Sequence, residues 1–290
     1  LAGIALYDKI IAANPDFLMP LRSLADFSVA KAKGKLGLYF GTQDTSMIGT
    51  ELDRLADLKA KGMRQIQLTY NLRNLSGDGA LESANAGLSR LGHKTIEAIE
   101  AQGLLLDLSH GGAQTMAESA AAARRPMTIS HTGCRALHDH PRNTSDAVMR
   151  AVADKGGCVG IYFMPFLAAG SQPTGEQLID HLVHAANICG EDHVSIGTDG
   201  FVLPLIIDDK ARAEAKAGHE ARSKAGFAAP GEGPDVFTIV AAYNSIDKFE
   251  RLAAALAKRG WTSRQVEKLY GSNLLRLFAE VWGTEQCKTP

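Results

Sequence analysis

Cysteine motifs and long apolar runs are both missing from this chain of 290 residues. Its four cysteines show no CxxC spacing, which argues against a thioredoxin-like redox motif or a clustered zinc motif. No run of about 18 apolar residues occurs, so we expect no membrane span. Together these absences favour a reduced, cytoplasmic protein. The cysteines are Cys134, Cys158, Cys189 and Cys287.

Charge of one sign is not in excess either. The 31 Lys and Arg residues balance 32 Asp and Glu residues, and no basic stripe is interleaved with aromatic residues, so we expect no nucleic-acid partner. Glycine-rich fragments such as Gly77-Asp78-Gly79 neither follow a strand nor open a helix, which excludes a dinucleotide fingerprint. The chain begins without Met, which leaves a removed signal or a missing N-terminal segment open.

Six short apolar runs alternate with helical patterns along the chain. The runs do not alternate polar with apolar residues, which is typical of strands buried on both faces of a parallel sheet or barrel. Ser145 has the position of a helix N-cap, and Gly103 that of a glycine just past a helix end. The predicted strands lie near 35–40, 65–70, 104–109, 127–131, 158–163 and 193–198, and the predicted helices near 1–14, 47–61, 88–102, 113–124, 145–155 and 174–189.

This rhythm predicts an α/β fold, specifically a (β/α)8 TIM-type barrel, in a single domain over residues 1–290. A closed barrel needs eight strands. We therefore expect about two strands upstream of Leu1, which makes the domain N-terminally incomplete; an open sheet is the alternative. The tail supplies two closing helices, near 238–260 and 263–283. The polar stretch 199–235 is expected to be a long loop over the strand ends, with at most a short helix.

Polar side chains follow three of the predicted strands where those strands end. The runs LLLDLSH, MTISH and HVSIGTD finish in His110, His131 and Asp199. In parallel α/β folds, ligands and catalytic groups gather at the carboxyl ends of the strands. The sequence therefore predicts three metal ligands at one edge of the sheet.

Four segments carry a resemblance to a known family. They are GTQDT (41–45), QLTYN (67–71), GLLLDLSH (103–110) and MTISHTGCRALHDHPRN (127–143). In this order they resemble the membrane (renal) dipeptidase family, zinc metallopeptidases on a (β/α)8 barrel of the metal-dependent hydrolase superfamily. The similarity runs from about residue 16 to the end of the chain.

The resemblance implies a role for each matching residue. His110 and His131 correspond to two histidines that complete one zinc site. Asp199 corresponds to an aspartate on the eighth strand that approaches the metal and is expected to accept a proton from the catalytic water. Arg142 corresponds to the arginine that receives the substrate carboxylate. The six predicted strands would then be the third to the eighth of the barrel.

The chain also departs from the family pattern. Gln43 aligns with the glutamate that bridges two zinc ions, and its neutral carbonyl gives a second ion less electrostatic support. The HxD motif of the first strand is absent, since the first histidine is His93 on a predicted helix. Tyr70 replaces a histidine that holds the tetrahedral intermediate, and its phenol can still donate a hydrogen bond to an oxyanion at the substrate. The DxDG sequence is reduced to Asp199-Gly200.

The predicted function is metal-dependent hydrolysis of small dipeptides, some with a C-terminal D-residue. Zinc lowers the pKa of a bound water to about 7, which makes the water a nucleophile at neutral pH. One or two zinc ions are expected, and one is favoured if Gln43 replaces the bridging carboxylate. Two alternatives stay open: a mononuclear amidohydrolase acting on another small amide, and a metal-deficient barrel serving as a binding subunit. The expected partner is a small dipeptide or amide, with a homodimer left open.

Each assignment competes with a structural interpretation. A histidine at a strand end is often a hydrogen-bonded structural residue, and Asp199 can cap a turn. Arg142 can instead be a solvated loop residue or pair with Asp139. Gln43 can bond its own loop, and Tyr70 can pack its ring with the hydroxyl in water. The remaining histidines are expected outside the metal site: His138 and His140 in a structural loop, His181 and His184 on a helix surface, and His193 at the opposite strand end.

Overall fold

Six strands run parallel in one sheet and follow each other in chain order. The computed structural model describes residues 2–170 and 172–283, so Cys287 lies outside the described residues. A β-then-α order with neighbouring parallel strands is the pattern of a (β/α) barrel. The strands are β3 (Phe40–Thr42), β4 (Met63–Gln67), β5 (Leu105–Asp107), β6 (Thr128–Thr132), β7 (Cys158–Ile161) and β8 (Val194–Ile196).

Helices connect these strands, and several end where the sequence predicts. The Ser145 side chain accepts a hydrogen bond from the Val148 amide, and Gly103 has a φ of 63°, so both predicted ends are confirmed. None of the helices in the described part of the chain has the length and apolar content that a membrane span requires. The helices are α1 (Ala2–Ala13), α2 (Leu24–Ala32), α3 (Arg54–Ala60), α4 (Arg90–Ala101), α5 (Ala113–Ala122), α6 (Asp146–Asp154), α7 (Gly175–Cys189), α8 (Asp209–Lys224), α9 (Lys248–Lys258), α10 (Ser263–Glu267) and α11 (Asn273–Trp282).

Strands β4, β5 and β7 are buried along their whole length, which is typical of strands covered on both faces. Ile66 and Ile129 are fully buried on β4 and β6. Helices α4 and α6 add the apolar faces of their amphipathic sequences, including Ile99 and Val152. Burying both faces leaves the strand ends as the place where polar side chains can gather.

The N-terminal part differs from the prediction. The strand expected at 35–40 is divided at Tyr39 into β2 (Leu36–Leu38) and β3, which belong to different sheets. A further strand, β1 (Leu18–Pro20), pairs in parallel with β2. The sequence analysis did not predict β1, and the expectation of strands upstream of Leu1 stays a prediction. Three residues carry no periodicity, so the sequence offered no signal for β1.

The described strands form an open arc. β3 and β8 are the edges of the six-stranded sheet, and β1 with β2 forms a separate pair. The arc is consistent with part of a TIM-type barrel. It places the carboxyl ends of β5, β6 and β8 at one rim.

Three predicted segments are wrong in detail. The helix expected from residue 47 begins only at Arg54, and the segment before α9 contains only a short 3-10 turn at Ala241–Tyr243. The stretch expected to be mostly loop contains α8, a helix of 16 residues. Its Ala, Lys and Glu residues have high helix propensity, but α8 buries none of its side chains, so no apolar stripe marked it.

Gly197, which directly follows β8, provides a test of how closely the strand ends pack. A Cβ at Gly197 would lie 1.7 Å from the carbonyl oxygen of Ser130, so β8 and β6 would have to separate. We expect Gly197→Ala to reduce the free energy of unfolding by about 3 kcal/mol, at the upper end for overpacking. Urea denaturation measures this change.

The matched control is Gly218→Ala in α8, where the new Cβ meets only the end of the Arg222 side chain. Replacing a helical glycine by alanine should stabilise the protein by roughly 0.5–1 kcal/mol. Equal unfolding free energies for the Gly197 and Gly218 variants would contradict the packing account.

Candidate metal centre and substrate cavity

The three predicted ligands come together at the carboxyl rim. His110, His131 and Asp199 each offer a ligand atom, and these atoms lie within 4.8 Å of one another. His131 Nε2 is 3.9 Å from the nearer Asp199 oxygen, and the two imidazole rings are 4.9 Å apart. The strand-end argument from the sequence therefore brings the right side chains into one cluster.

Two of these residues have unusual backbone conformations. His110 has a φ of 62° and Asp199 a φ of 52°, both in the left-handed region that residues other than glycine rarely adopt. Such conformations cost roughly 1–3 kcal/mol and concentrate at functional sites. Each residue leaves its strand through this conformation.

Asn71 fixes the ring orientation of His110. Its Oδ1 lies 2.6 Å from His110 Nδ1, and because an amide oxygen can only accept, Nδ1 carries the proton. The lone pair of His110 is therefore on Nε2. This arrangement, with one ring nitrogen donating and the other free, is the usual one for a metal-binding histidine.

A longer chain of hydrogen bonds orients His131. Its Nδ1 lies 2.8 Å from Ser130 Oγ, and Ser130 Oγ lies 2.5 Å from Asp107 Oδ2. Since the carboxylate can only accept, Ser130 donates to it and His131 donates to Ser130. Asp107 is 1% exposed and also accepts hydrogen bonds from Ser109 and Gln65. His131 is thus held with its lone pair on Nε2, as His110 is.

The free ring nitrogens fit a divalent cation. Among the described residues, the buried Nε2 atoms of His110 and His131 have no hydrogen-bond partner. Burial, reinforced by the nearby Arg142, lowers the pKa of both imidazoles well below the usual value, so both are neutral. Two neutral imidazoles and a carboxylate are a donor set that zinc prefers.

The distances set one condition on this fit. Zinc binds nitrogen or oxygen at about 2.1 Å, so two donors to one ion are at most about 4.2 Å apart. Because the three donor atoms spread up to 4.8 Å, the cluster must contract slightly to hold a single zinc.

Asp199 is the acidic member of the cluster, and its side chain is 23% exposed. Burial raises the pKa of its carboxyl to about 6, an effect that Arg142 opposes and Asp107 reinforces. A carboxyl group that titrates near neutral pH can both accept and return a proton. The turn-capping interpretation does not account for its approach to His131.

A cavity of about 200 Å³ opens beside the cluster. Five of the six predicted site residues line it, and the sixth, His131, lines a neighbouring cavity with Asp199. The cavity wall also includes groups from α8 and from the loop that follows it. The lining residues include Gln43, Tyr70, Asn71, His110, Arg142, Asp199, Arg222 and Glu232.

Arg142 is the buried cation of this cavity. It is 4% exposed, and in the described part of the chain neither Nη1 nor Nη2 has a hydrogen-bond partner. Asp139 pairs with Arg135 at 2.8 Å instead, so the interpretations of Arg142 as a solvated loop residue or as the partner of Asp139 are wrong. Two unpaired guanidinium nitrogens suit bidentate binding of a carboxylate.

Tyr70 and Gln43 occupy less decisive positions. The Tyr70 ring stacks on the His110 ring at 4.1 Å, and burial raises the pKa of the phenol, which therefore remains a hydrogen-bond donor at neutral pH. Gln43 is exposed, and it lines both this cavity and a larger groove near α1. Its role as a metal ligand stays a prediction.

The other histidines lie outside the cluster, one of them against expectation. His181 is 1% exposed, not on the helix surface, because its ring accepts from the Cys134 amide and donates to the Leu167 carbonyl. The i, i+3 spacing of His181 and His184 predicts that both lie on one helix face, but it does not reveal what packs against that face. His184 is partly exposed and lies 2.8 Å from Asp146.

Several supporting residues were also missed. Asn71, Asp107 and Ser130 hold the two histidines, and none was singled out from the sequence. A signal existed for two of them, since Asp107 and Ser130 lie within the DLSH and MTISH motifs that end the strands. For Asn71 the only signal was its place after the QLTY strand.

Parallel strands with two histidines and an aspartate at their carboxyl ends define the arrangement of a metal-dependent hydrolase. The family model described as membrane dipeptidase (peptidase family M19) matches residues 1–206. This match covers more than half of the chain, and the chain belongs to this family.

Individual relatives agree with this assignment. The dipeptidase verJ of Clonostachys rogersoniana is 26% identical over 280 residues, which are 96% of this chain and 64% of that protein. The chain thus spans less than two thirds of the length of this relative. An amidohydrolase from Pseudomonas aeruginosa, solved by crystallography, is 31% identical with a TM-score of 0.82, and the match covers 96% of this chain and 83% of that chain.

A second solved structure shares the fold. A metallopeptidase from Rhodobacter sphaeroides, solved with a phosphinate mimic of the dipeptide L-Ala-D-Ala, is 21% identical with a TM-score of 0.77. The match covers 97% of this chain and 73% of that chain.

Ser130→Ala tests the hydrogen-bond chain behind His131. The substitution removes the partner of His131 Nδ1, so the ring loses its fixed tautomer and orientation. We expect zinc to bind about 10–100-fold more weakly, measured by competition with a chromophoric chelator. Ser119→Ala, a buried serine on α5, is the control and should leave zinc affinity unchanged. Equal affinities for both variants would contradict the role of Ser130.

The raised pKa of Asp199 predicts a pH-dependent stability of the metal-free protein. The folded-state pKa of about 6 exceeds the unfolded value of about 3.9, so the charged carboxylate destabilises the fold above pH 6. This destabilisation disappears as the pH falls toward 4. Asp199→Asn is always neutral and should be more stable than wild type by on the order of 2 kcal/mol at pH 7.5, but nearly equal at pH 4.

Urea denaturation in the presence of a chelator measures both differences. The control is Asp16→Asn at an exposed position, which should shift stability equally at the two pH values. If Asp199→Asn stabilises the protein by the same amount at pH 4 and pH 7.5, the pKa of Asp199 is not raised in the folded protein.

Proposed function

We propose that this protein is a metal-dependent dipeptidase. The observation that carries the proposal is a cluster of three candidate ligands, two of which, His110 and Asp199, line one small cavity together with a buried Arg142 whose Nη atoms have no partner among the described residues. The ligand cluster can hold a cation at the scissile bond while the guanidinium holds a carboxylate. The family membership supports the same reaction class.

Each residue has a defined part in this proposal. His110, His131 and Asp199 would hold a zinc ion, which when bound would supply Lewis-acid polarisation of the carbonyl and lower the pKa of water. Asp199 also accepts the proton of the attacking water and passes it to the leaving amine. Tyr70 donates a hydrogen bond to the developing oxyanion and contacts the substrate.

The cavity favours a small substrate. Its volume of about 200 Å³ is below the roughly 300–1,000 Å³ of pockets for drug-sized ligands. Arg142 would select a free C-terminal carboxylate through a bidentate pair. The preference for a C-terminal D-residue rests on the resemblance of the sequence motifs, and we propose it as the finer specificity.

A second candidate function has one observation in its favour. Gln43 is neutral and exposed where the resemblance places a bridging glutamate, which favours a single ion and therefore a mononuclear amidohydrolase acting on another small amide. We propose one zinc ion rather than two for the same reason, with Gln43 as a neutral ligand. The cytoplasmic location, the single-domain organisation, the homodimer and the metal-deficient binding subunit stay predictions.

Zinc content and carboxylate recognition test the proposal together. Elemental mass spectrometry should find about one zinc per chain after loading, and the loaded protein should hydrolyse alanyl-alanine stereoisomers. Arg142→Met should reduce kcat/KM about 100-fold, because it removes a buried charged pair with the substrate. The control Arg135→Met changes an arginine of the same loop that faces Asp139 and should have little effect.

Three results would count against this function. If the protein retains no zinc after loading, the metal-deficient binding subunit becomes the favoured function. Equal hydrolysis by the Arg142 and Arg135 variants would exclude Arg142 from substrate recognition. A panel of cyclic amides hydrolysed faster than dipeptides would favour the second candidate.

A further inference from the structure

One turn accepts hydrogen bonds from Asn71, which contacts a candidate metal ligand, and from His140, which contacts the main chain of Arg142. This turn, residues 226–232, follows α8 and is called the closing turn below. Its Phe227 carbonyl accepts from Asn71 Nδ2 at 2.9 Å, and its Pro230 carbonyl accepts from His140 Nε2 at 2.7 Å. The two carbonyls are three residues apart.

Asn71 connects the closing turn to a candidate metal ligand. One end of its amide accepts from His110 Nδ1 at 2.6 Å, and the other end donates to Phe227. Asn71 is buried, so it has no water to replace a lost partner. The Phe227 ring also meets the Tyr70 ring edge to face at 6.2 Å. A displaced turn would therefore release the amide that orients His110.

His140 connects the same turn to Arg142. Its Nδ1 accepts the main-chain N–H of Arg142 at 3.1 Å, so the ring proton is on Nε2, which donates to Pro230. The ring is buried and stacks on Phe166 at 4.6 Å. This single tautomer satisfies both bonds at once. The backbone position of Arg142 therefore depends on where the Pro230 carbonyl lies.

Glu232 holds the closing turn in shape. Its Oε1 accepts the Ala229 amide at 3.0 Å, and its Oε2 forms an ion pair with Arg222 Nε at 2.6 Å. The Glu232 side chain is 13% exposed, so its pair is less screened than a surface pair. Glu232 contacts neither Asn71 nor His140 in these bonds, yet it sets the carbonyls that they bind.

We propose that the closing turn is a positioning element that sets the orientation of His110 and the placement of Arg142 together. Zinc affinity and recognition of the substrate carboxylate are thereby coupled to the closure of one turn. The carboxylate half of this inference rests on the proposed function. The zinc half depends only on the His110 ligand assignment.

Glu232→Ala tests the coupling, because it removes both bonds that shape the turn and alters no proposed ligand. Its matched control is Glu220→Ala, an exposed glutamate on α8. Glu232→Gln is a second variant that keeps side-chain volume and the acceptor for Ala229 but loses the ion pair. Two equilibrium readouts are used: the zinc Kd, and the ratio of Kd values for a reduced-amide analogue of alanyl-D-alanine and its C-terminal carboxamide.

Wild type and Glu220→Ala should bind zinc equally and prefer the carboxylate analogue over the carboxamide. Glu232→Ala should weaken zinc binding about tenfold and reduce the carboxylate preference about tenfold, with Glu232→Gln between the two. His140→Phe keeps the stack on Phe166 and should reduce the preference by a similar factor. The double variant Glu232→Ala/His140→Phe should lose no more preference than the larger single effect, since both act through one link.

Unchanged zinc affinity and unchanged preference in Glu232→Ala would overturn the inference, as would additive effects in the double variant. The failure of the proposed function is distinguishable from these outcomes. A wild-type protein that binds zinc but does not discriminate between the two analogues refutes the carboxylate role of Arg142, and the zinc affinities then decide the inference alone. A wild-type protein that binds no zinc overturns both.

Discussion

The buried carboxylate of Asp107 is the interaction on which the site depends. A charge at this depth is tolerated only when donors surround it, and Asp107 receives them from β4 through Gln65, from its own loop through Ser109, and from β6 through Ser130. These bonds join three neighbouring strands at the rim of the sheet. They also orient His131 through Ser130, so the same carboxylate joins the strands and positions a candidate metal ligand.

The rest of the site is a set of buried polar groups that the protein alone does not satisfy. Among the described residues, the Nε2 atoms of two neutral imidazoles and both Nη atoms of Arg142 have no hydrogen-bond partner, and burial raises the pKa of the Asp199 carboxyl to about 6. Each of these states costs folding free energy, and titratable groups perturbed in this way concentrate at functional sites. A divalent cation and an anionic ligand would complement all of them. The free energy of unfolding is therefore lowered by the groups that the proposed ligands would bind.

Sequence-based prediction succeeded where the signal was local and failed where the structure depends on contacts between distant residues. Buried strands and capped helices were predictable because apolar runs and cap residues are local signals, as β6 and Ser145 illustrate. The helix α8 was not predicted because it buries no side chain, and β1 was not predicted because three residues show no period. His181 was misplaced on a helix surface because spacing along a helix does not reveal what packs against it.

By itself, the sequence determined the order of the strands and the identity of the polar residues at their ends, since both depend on local composition. Only the tertiary structure decided that His110, His131 and Asp199 converge, that Arg142 is buried and unpaired, and that Asn71 supports a ligand. These facts depend on contacts between residues tens of positions apart. Such contacts arise from packing and mutual hydrogen bonding across elements, which no local pattern of residues encodes.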